Sequence, residues 1–420
     1  MDYDVLIIGA GLAGLHCALR LHKPGLKLAI AEAYRYVGGR VVSYNPPDFP
    51  NVRWENGAGR IHSSHIMLKR YLDRYDLNII PLPTEQTWKP VKGNAESNIW
   101  PSLATILTHM LKNLKPSLLA RHTVAELANA VYGGVYTEKL LVHFPYRAEV
   151  FRMRADLALK SLSEEMKSNE HFYVVKEGLS SLTKAMRAEL EEKGVQFLLG
   201  HRATGITQGP SNSLRATFTV KDDEKHKHVE LTAKKIILAV HSTALKGISP
   251  FSNLPILKHL KMEPLLRTYG IFPTKPNPWF EGMKTTVTDS PLRYIIPINP
   301  KQGTIMTSYT DAQDTKPYLK LLDKSPKLLE KCILKDLRHL FPDCDIPNPL
   351  FFKAHPWYEG CTYWLPGLYN PNEESEAIMN PMPKRFEHLY VCGESYSLRQ
   401  AWMEGALEHA ESMLKKYFLQ

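Results

Sequence analysis

The stretch Asp4-Val-Leu-Ile-Ile-Gly-Ala-Gly-Leu-Ala-Gly14 decides how this chain is read. Val5 to Ile8 are continuously apolar, as in a parallel strand buried on both faces. Gly9 permits a tight turn, Gly11 lets the backbone approach a pyrophosphate, and Gly14 permits close packing of helix on strand. Leu12 to Leu21 supply the helix, whose first residues, Leu12 and Ala13, turn amides and a dipole toward an anion. Lys27 to Ala31 read as a second strand ending at Glu32. A carboxylate there accepts from a ribose diol and repels a 2′-phosphate, so the unit calls for a dinucleotide and disfavours NADP.

The far end of the chain looks like the other half of the same site. Residues 389–407, LYVCGESYSLRQAWMEGAL, read as a buried strand, a Gly-Glu turn and a helix. Two further stretches say which dinucleotide is held. Glu32-Ala33-Tyr34-Arg35-Tyr36-Val37-Gly38-Gly39-Arg40 and Trp54-Glu-Asn-Gly57-Ala58-Gly59-Arg60-Ile61 resemble matching segments of the flavin-dependent amine oxidase superfamily. That superfamily runs from monoamine, polyamine and L-amino-acid oxidases to protoporphyrinogen oxidase. The resemblance implies FAD, with Gly39 and Arg40 against its pyrophosphate and the Gly57–Arg60 loop beneath the flavin ring. Tyr34 and Tyr36 stand where many members carry arginines.

The resemblance extends over the chain in outline. It implies an α/β fold: a Rossmann-like, glutathione-reductase-like FAD-binding domain with a discontinuous α+β substrate domain. The FAD domain is expected from residues 1–65, 171–250 and 385–420, and the substrate domain from 66–170 and 251–384. Tyr173 to Leu182 look like a strand and glycine leading into a helix over Leu182–Lys193; Val195–Leu199 reads as a strand, and Ala203 approaches the adenine end by analogy. Leu214–Val220 and His228–Thr232 look like a hairpin around the charged turn Lys221–Lys227, followed by a separate buried strand, Lys235–Val240. His241 stands where the family usually has proline, and a structural or solvated histidine is the expectation there. Residues 99–132 and 147–167 are helix-rich by pattern, Tyr294–Ile298 and Gly303–Ser308 look like strands, and Pro317–Leu340 has the spacing of one or two amphipathic helices.

By the same resemblance, Gly393 and Glu394 form the turn at the ribityl–pyrophosphate region, and Met403 offers an amide to the flavin O2. Trp402 is one wall of an aromatic cage that selects an oxidisable amine by stacking and cation–π attraction. In Glu359-Gly-Cys361-Thr-Tyr363-Trp364, Tyr363 and Trp364 compete for the other wall. Cys361 falls near the cysteine that monoamine oxidases attach to flavin; non-covalent FAD is expected here because the loop is shorter. Arg60 matches the arginine with which L-amino-acid oxidases hold the substrate carboxylate, a bidentate pairing. Arg267, on the apparent strand Pro264–Phe272, replaces the family lysine that works through water at N5. Arginine stays protonated and cannot relay a proton, so turnover or the choice of oxygen as acceptor is open; a slipped register would put Lys258 or Lys261 there.

With one dinucleotide fingerprint and no second one, the substrate is expected to give hydride directly to FAD. The leading expectation is oxidation of a primary amine or L-amino acid to an imine, with O2 as reoxidant and release of H2O2. The alternatives are a protoporphyrinogen-oxidase- or desaturase-like enzyme on a larger apolar substrate, and a flavin-binding scaffold with impaired turnover. The 420 residues, 44% of them hydrophobic, suffice for two cores. No apolar run is long enough to cross a bilayer, and five irregularly spaced cysteines give neither a disulfide framework nor a metal pattern, so a soluble cytoplasmic protein without metal is expected. The formal charge of +10 is dispersed with no nucleic-acid motif, and a homodimer is left open.

Overall fold

The computed structural model describes residues 1–96, 105, 107, 109, 112–144, 146–165, 171–222, 225–382 and 386–419. Five parallel strands form the centre of the larger sheet, in the order Gln196–Leu199, Leu28–Glu32, Tyr3–Ile8, Lys225–Leu238 and Leu389–Val391. Alternation along the first strand explains its central place: Val5 and Ile7 enter one core and Leu6 and Ile8 the other. The helices Leu12–Leu21, Ser180–Glu192 and Met403–Tyr417 contribute to the first of these cores. Burying each such aliphatic side chain contributes about 1.5–3 kcal/mol.

The expected hairpin is present but is not followed by a separate strand. Lys225–Leu238 is one continuous strand, antiparallel to Leu214–Asp222 along its first part and parallel to Tyr3–Ile8 from Ala233 onward. It ends at Leu238, two residues before the expected Val240. Lys225 pairs with Asp222, so the turn is tighter than expected, and residues 223–224 of it lie outside the described residues. Also outside them are 99–104, 106, 108, 110–111 and 166–167 of the expected helix-rich segments, and residue 385, where the third FAD segment was set to begin.

The second large sheet has the order Phe351–Trp364, Leu260–Ile271, Thr304–Asp311, Tyr294–Asn299, Thr285–Val287 and Gln86–Trp88. Helices Ala312–Lys324 and Pro326–Leu340 share an apolar core with it, broken apart at Ser325, whose hydroxyl caps the second helix. A small sheet places Phe172–Val175 between Ile61–His62 and Ile79–Pro81. Among the described residues no helix is long and apolar enough to cross a membrane.

Candidate active site

The three fingerprint glycines have different tasks. A Cβ on Gly9, which has φ of +109°, would come 2.4 Å from the Ala239 carbonyl oxygen. One on Gly14 would lie 1.9 Å from the Gly9 oxygen. One on Gly11 would meet nothing within 4 Å. Gly9 and Gly14 thus serve protein packing, and Gly11 keeps a space open at the start of the helix that begins with Leu12 and Ala13. No side chain caps that helix and no acid occupies its first turn, which suits an anion.

Glu32 closes the far side of this turn. One carboxylate oxygen accepts from the Ala10 amide at 2.7 Å and the other from the Tyr34 amide at 2.9 Å, with the Ala33 amide also holding the charged form. Burial outweighs these amides and pushes the carboxyl above its usual range. Gly39 packs with its Cβ direction 3.5 Å from the Gly11 Cα. Beyond it, the Arg40 guanidinium donates to the Gly360 carbonyl at 2.9 Å and to Glu394 at 2.6 Å. Glu394 also accepts from the Ala401 amide at 2.6 Å, directly after the Gly393 turn. Arg40 and Glu394, from opposite ends of the chain, are therefore one unit. Ala58 donates its amide to the Arg40 carbonyl at 3.0 Å, which seats the Gly57–Arg60 loop on it. Ala203 lies on His201–Gln208 opposite Phe218, beside a bulge before Gly205.

Open space at Gly11, an uncapped helix start, a buried acid beyond it and a cation at the returning turn together match a dinucleotide's pyrophosphate and ribose. Met403 begins the last helix, which likewise has no side-chain cap. These residues fit FAD. Among the described residues, no group of three or more His, Cys, Asp or Glu side chains is placed to hold a metal ion.

The reaction side differs from expectation in its walls. Trp402 packs against His65, with ring centroids 5.0 Å apart, and is nearly parallel to Phe172 at 6.1 Å and 18°. Pairing of Ile61–His62 with Phe172–Val175 brings Phe172 beside Arg60. The Arg60 guanidinium carbon lies 4.8 Å from the Phe172 ring centre, 5.1 Å from Tyr146 and 5.7 Å from Trp402. Tyr146 in turn meets Tyr294 at 5.9 Å and Tyr309 at 5.6 Å.

Trp364, a candidate second wall, does not reach this cluster. It is fully buried in the core beside the parallel sheet, and its indole N–H donates to the Ser397 carbonyl at 2.9 Å. Strand alternation explains the split, because Tyr363 points the other way and lines a cavity of about 420 Å³ with Trp402, Glu149 and Lys160. That volume suits a small molecule. Phe172, Tyr146 and His65 were missed because they stand in no glycine-bounded motif; the Pro145-Tyr146 and Phe172-Tyr173 pairs carry no local mark of a site.

Arg267 lies opposite Tyr309 on one neighbouring strand and His355 on the other, while Lys261 is half exposed and 3.4 Å from Glu263. The Arg267 guanidinium donates to the carbonyls of Glu55 and Gly57 and sits 4.9 Å from the Tyr309 ring centre. It is thus anchored to the same loop that carries Arg60. Cys361 lies near Arg40 and Glu394; burial, then the Glu394 carboxylate, push its thiol up to about 12. Burial, with Arg399 and His62 nearby, holds His65 down at about 3, so it is neutral. One residue beyond Met403, Glu404 accepts from the Met67 and Leu68 amides at 2.7 and 2.9 Å, capping the helix Ile66–Arg74 from a distant segment.

A parallel sheet with its fingerprint turn, acid-ended second strand and returning Gly-Glu turn gathered at one place defines a dinucleotide-binding oxidoreductase fold. The flavin-containing amine oxidoreductase family matches residues 12–412, and the chain belongs to that family, which implies a flavin cofactor, FAD. An L-amino-acid oxidase of Crotalus adamanteus is 34% identical, with 96% of this chain and 84% of that protein covered. An L-amino-acid oxidase of Mus musculus is 24% identical over 96% of this chain and 69% of the relative. Achacin of Lissachatina fulica is 21% identical over 99% and 93%. Putrescine oxidase with bound putrescine matches in fold, with a TM-score of 0.75 at 15% identity, covering all of both chains. The relatives support oxidation of amines in general.

Proposed function

We propose that the protein oxidises an L-amino acid, or failing that a primary amine, to the imine, which water converts to a carbonyl compound and ammonia. FAD, when bound, supplies the acceptor for a hydride, at N5, and O2 takes the two electrons and two protons to leave as H2O2. The carrying observation is the Arg60 guanidinium lying among the rings of Trp402, Phe172 and Tyr146. With the protein's own cation on those ring faces, a second, substrate cation is disfavoured there and a carboxylate is favoured. Arg60 then orients the substrate by its carboxylate, Trp402 and Tyr146 exclude water around it, and Tyr363 bounds the adjoining cavity. Gly11, Leu12, Ala13, Glu32, Ala33, Gly39, Arg40, Gly57, Ala58, Gly59, Arg60, Ala203, Gly393, Glu394, Trp402 and Met403 are the proposed FAD contacts, with Gly9 and Gly14 shaping the turn that presents them. Attachment is proposed to be non-covalent, because a Cys361 thiol pushed up to about 12 stays protonated and is a poor nucleophile.

Anaerobic addition of an L-amino acid and of the amine made by removing its carboxylate tests the reading. Bleaching near about 450 nm by the first and not the second is expected. Bleaching by the amine alone overturns the carboxylate role.

The anchored Arg267 favours a second reading of the reoxidation step, slow use of O2, because a guanidinium tied to two carbonyls neither moves nor gives up a proton. Reduced enzyme that reacts sluggishly with O2 and faster after Arg267→Lys supports it.

A further inference from the structure

The cavity of about 420 Å³ beside Trp402 and Tyr363 has a charge unlike that of the whole chain. The protein carries a formal +10, but Glu149, Glu164, Glu376 and Glu408 line the cavity against Lys160 and Arg399. Depth sorts these groups. Lys160 and Glu376 are exposed and mark its mouth. Arg399 and Glu408 are half-buried and pair at 3.3 Å, with Glu164 half-buried as well. Burial, opposed by Arg399 and joined by Glu404 and Glu164, pushes the Glu408 carboxyl up, as a field rich in negative charge does. Two of the lining histidines, His65 and His409, are neutral, held down chiefly by burial at about 3 and about 4. The most deeply buried acid of the lining is Glu149, 9% exposed.

Glu149 is tied by the backbone to the ring cluster around Arg60. Tyr146, whose ring centre is 5.1 Å from the Arg60 guanidinium carbon, stands at the start of the helix Arg147–Phe151. Glu149 follows one turn later, about 4.5 Å along the axis. Asp311 fixes that turn by accepting from the Arg147 and Ala148 amides at 2.7 and 2.9 Å. Trp402 makes the link from another segment: its ring centre is 5.7 Å from the same guanidinium carbon, and it lines the cavity. Tyr363, 6% exposed, lines it too, and its hydroxyl has no hydrogen-bond partner among the described residues. Burial, then Cys361 and the Glu149 carboxylate, push that hydroxyl well above its ordinary range. It therefore stays a phenol, able to donate and to accept.

We propose that this cavity is the side-chain subsite and takes an L-amino acid whose side chain ends in a cation, the terminal nitrogen donating to Glu149 and to the Tyr363 hydroxyl oxygen. The inference rests on the amino-acid reading above and names its substrate class. Arg60 disfavours a cation at the rings, whereas Glu149 favours one a helical turn away. A substrate of the L-lysine or L-ornithine kind is then held at its two ends by opposite charges, which also sets which end faces the rings. An apolar side chain in the same place takes water from the Glu149 carboxylate and returns no hydrogen bond, which is costly.

The test is anaerobic stopped-flow reduction of the flavin in the holoprotein by three amino acids. They are L-lysine, L-norleucine, which lacks only the terminal nitrogen, and L-aminoadipate, which ends in a carboxylate. At limiting substrate, lysine should be faster than norleucine by roughly 10–100-fold, the scale of a charge-assisted hydrogen bond, with aminoadipate slowest. Glu149→Gln should bring the lysine-to-norleucine ratio down toward one. A merely structural role for Glu149 slows both substrates together and leaves the ratio as it was, which overturns the proposal. Should the glutamine variant fail to fold, Glu149→Asp withdraws the carboxylate by one methylene and should lower the same ratio. Norleucine as fast as lysine in wild type overturns this inference alone. Reduction by none of the three overturns the amino-acid reading with it.

Discussion

The nucleotide side and the substrate side of this molecule are built by different means. On the nucleotide side the work is done by backbone: an open Gly11, turns at Gly9 and Gly393, and amides held by Glu32. On the substrate side it is done by side chains from remote segments, with Arg60, Tyr146, Phe172 and Trp402 meeting around one guanidinium. Backbone devices need particular residues at fixed short spacings. A side-chain cluster needs only that several elements converge, and many residue types can serve.

The contrast breaks most visibly at the glycines. Gly14→Val should abolish folded, yellow protein, since its Cβ would be driven into the Gly9 carbonyl and backbone cannot yield as a side chain can. Gly11→Ala should leave the fold intact and weaken FAD binding, because its Cβ enters open space. Flavin content after purification, with circular dichroism, separates the two; equal loss of fold would mean that Gly11 is also a packing glycine.

On the substrate side, Arg60→Ala should raise KM for L-amino acids on the order of 100-fold, about 3 kcal/mol, and do far less to carboxylate-free amines. Equal losses on both would make Arg60 a structural filler of the ring cluster. Glu404→Gln joins the two regions, because the residue lies in the first turn of the helix that starts at Met403 and caps another. Removing its charge from two helix amides should cost about 1–3 kcal/mol, read as a lower urea midpoint with flavin binding retained.

The effect confined to the narrowest range of conditions is a pH slope. Burial raises Asp311 to about 6 from 3.8, although it accepts from the Arg147 and Ala148 amides at 2.7 and 2.9 Å. A carboxyl raised on folding stabilises the fold while protonated; its contribution is present below the unfolded value and lost as pH rises through the folded one. Stability should therefore fall between about pH 4 and 6 on account of this group. Asp311→Asn should flatten that segment of the denaturation-midpoint profile, and an unchanged slope would assign it to other acids.

Much of the first region was legible without a structure. The helix was expected over Leu12–Leu21 and is found there, and the second strand ends at Glu32 as read. These elements are specified locally, by apolar runs and glycines whose conformations few other residues adopt. The errors lie where tertiary packing overrides local signals. His228–Thr232 and Lys235–Val240 read as two separate strands, but pairing with Leu214–Asp222 and then Tyr3–Ile8 carries one strand through Lys225–Leu238. Trp364 looked equal to Tyr363 until alternation turned its ring into the core.

The sequence by itself determined a dinucleotide-binding βαβ unit, because that follows from spacing and from residue types with few substitutes, and its resemblance to flavin-dependent amine oxidases supplied the fold class and FAD. Tertiary structure alone decided the company of the charged groups. Arg40 faces Glu394 across the closed chain, Arg60 lies among three rings, and Arg267 is tied to the Gly57 carbonyl. A side chain's partners depend on how distant elements pack, and nothing in the spacing of a single segment records that.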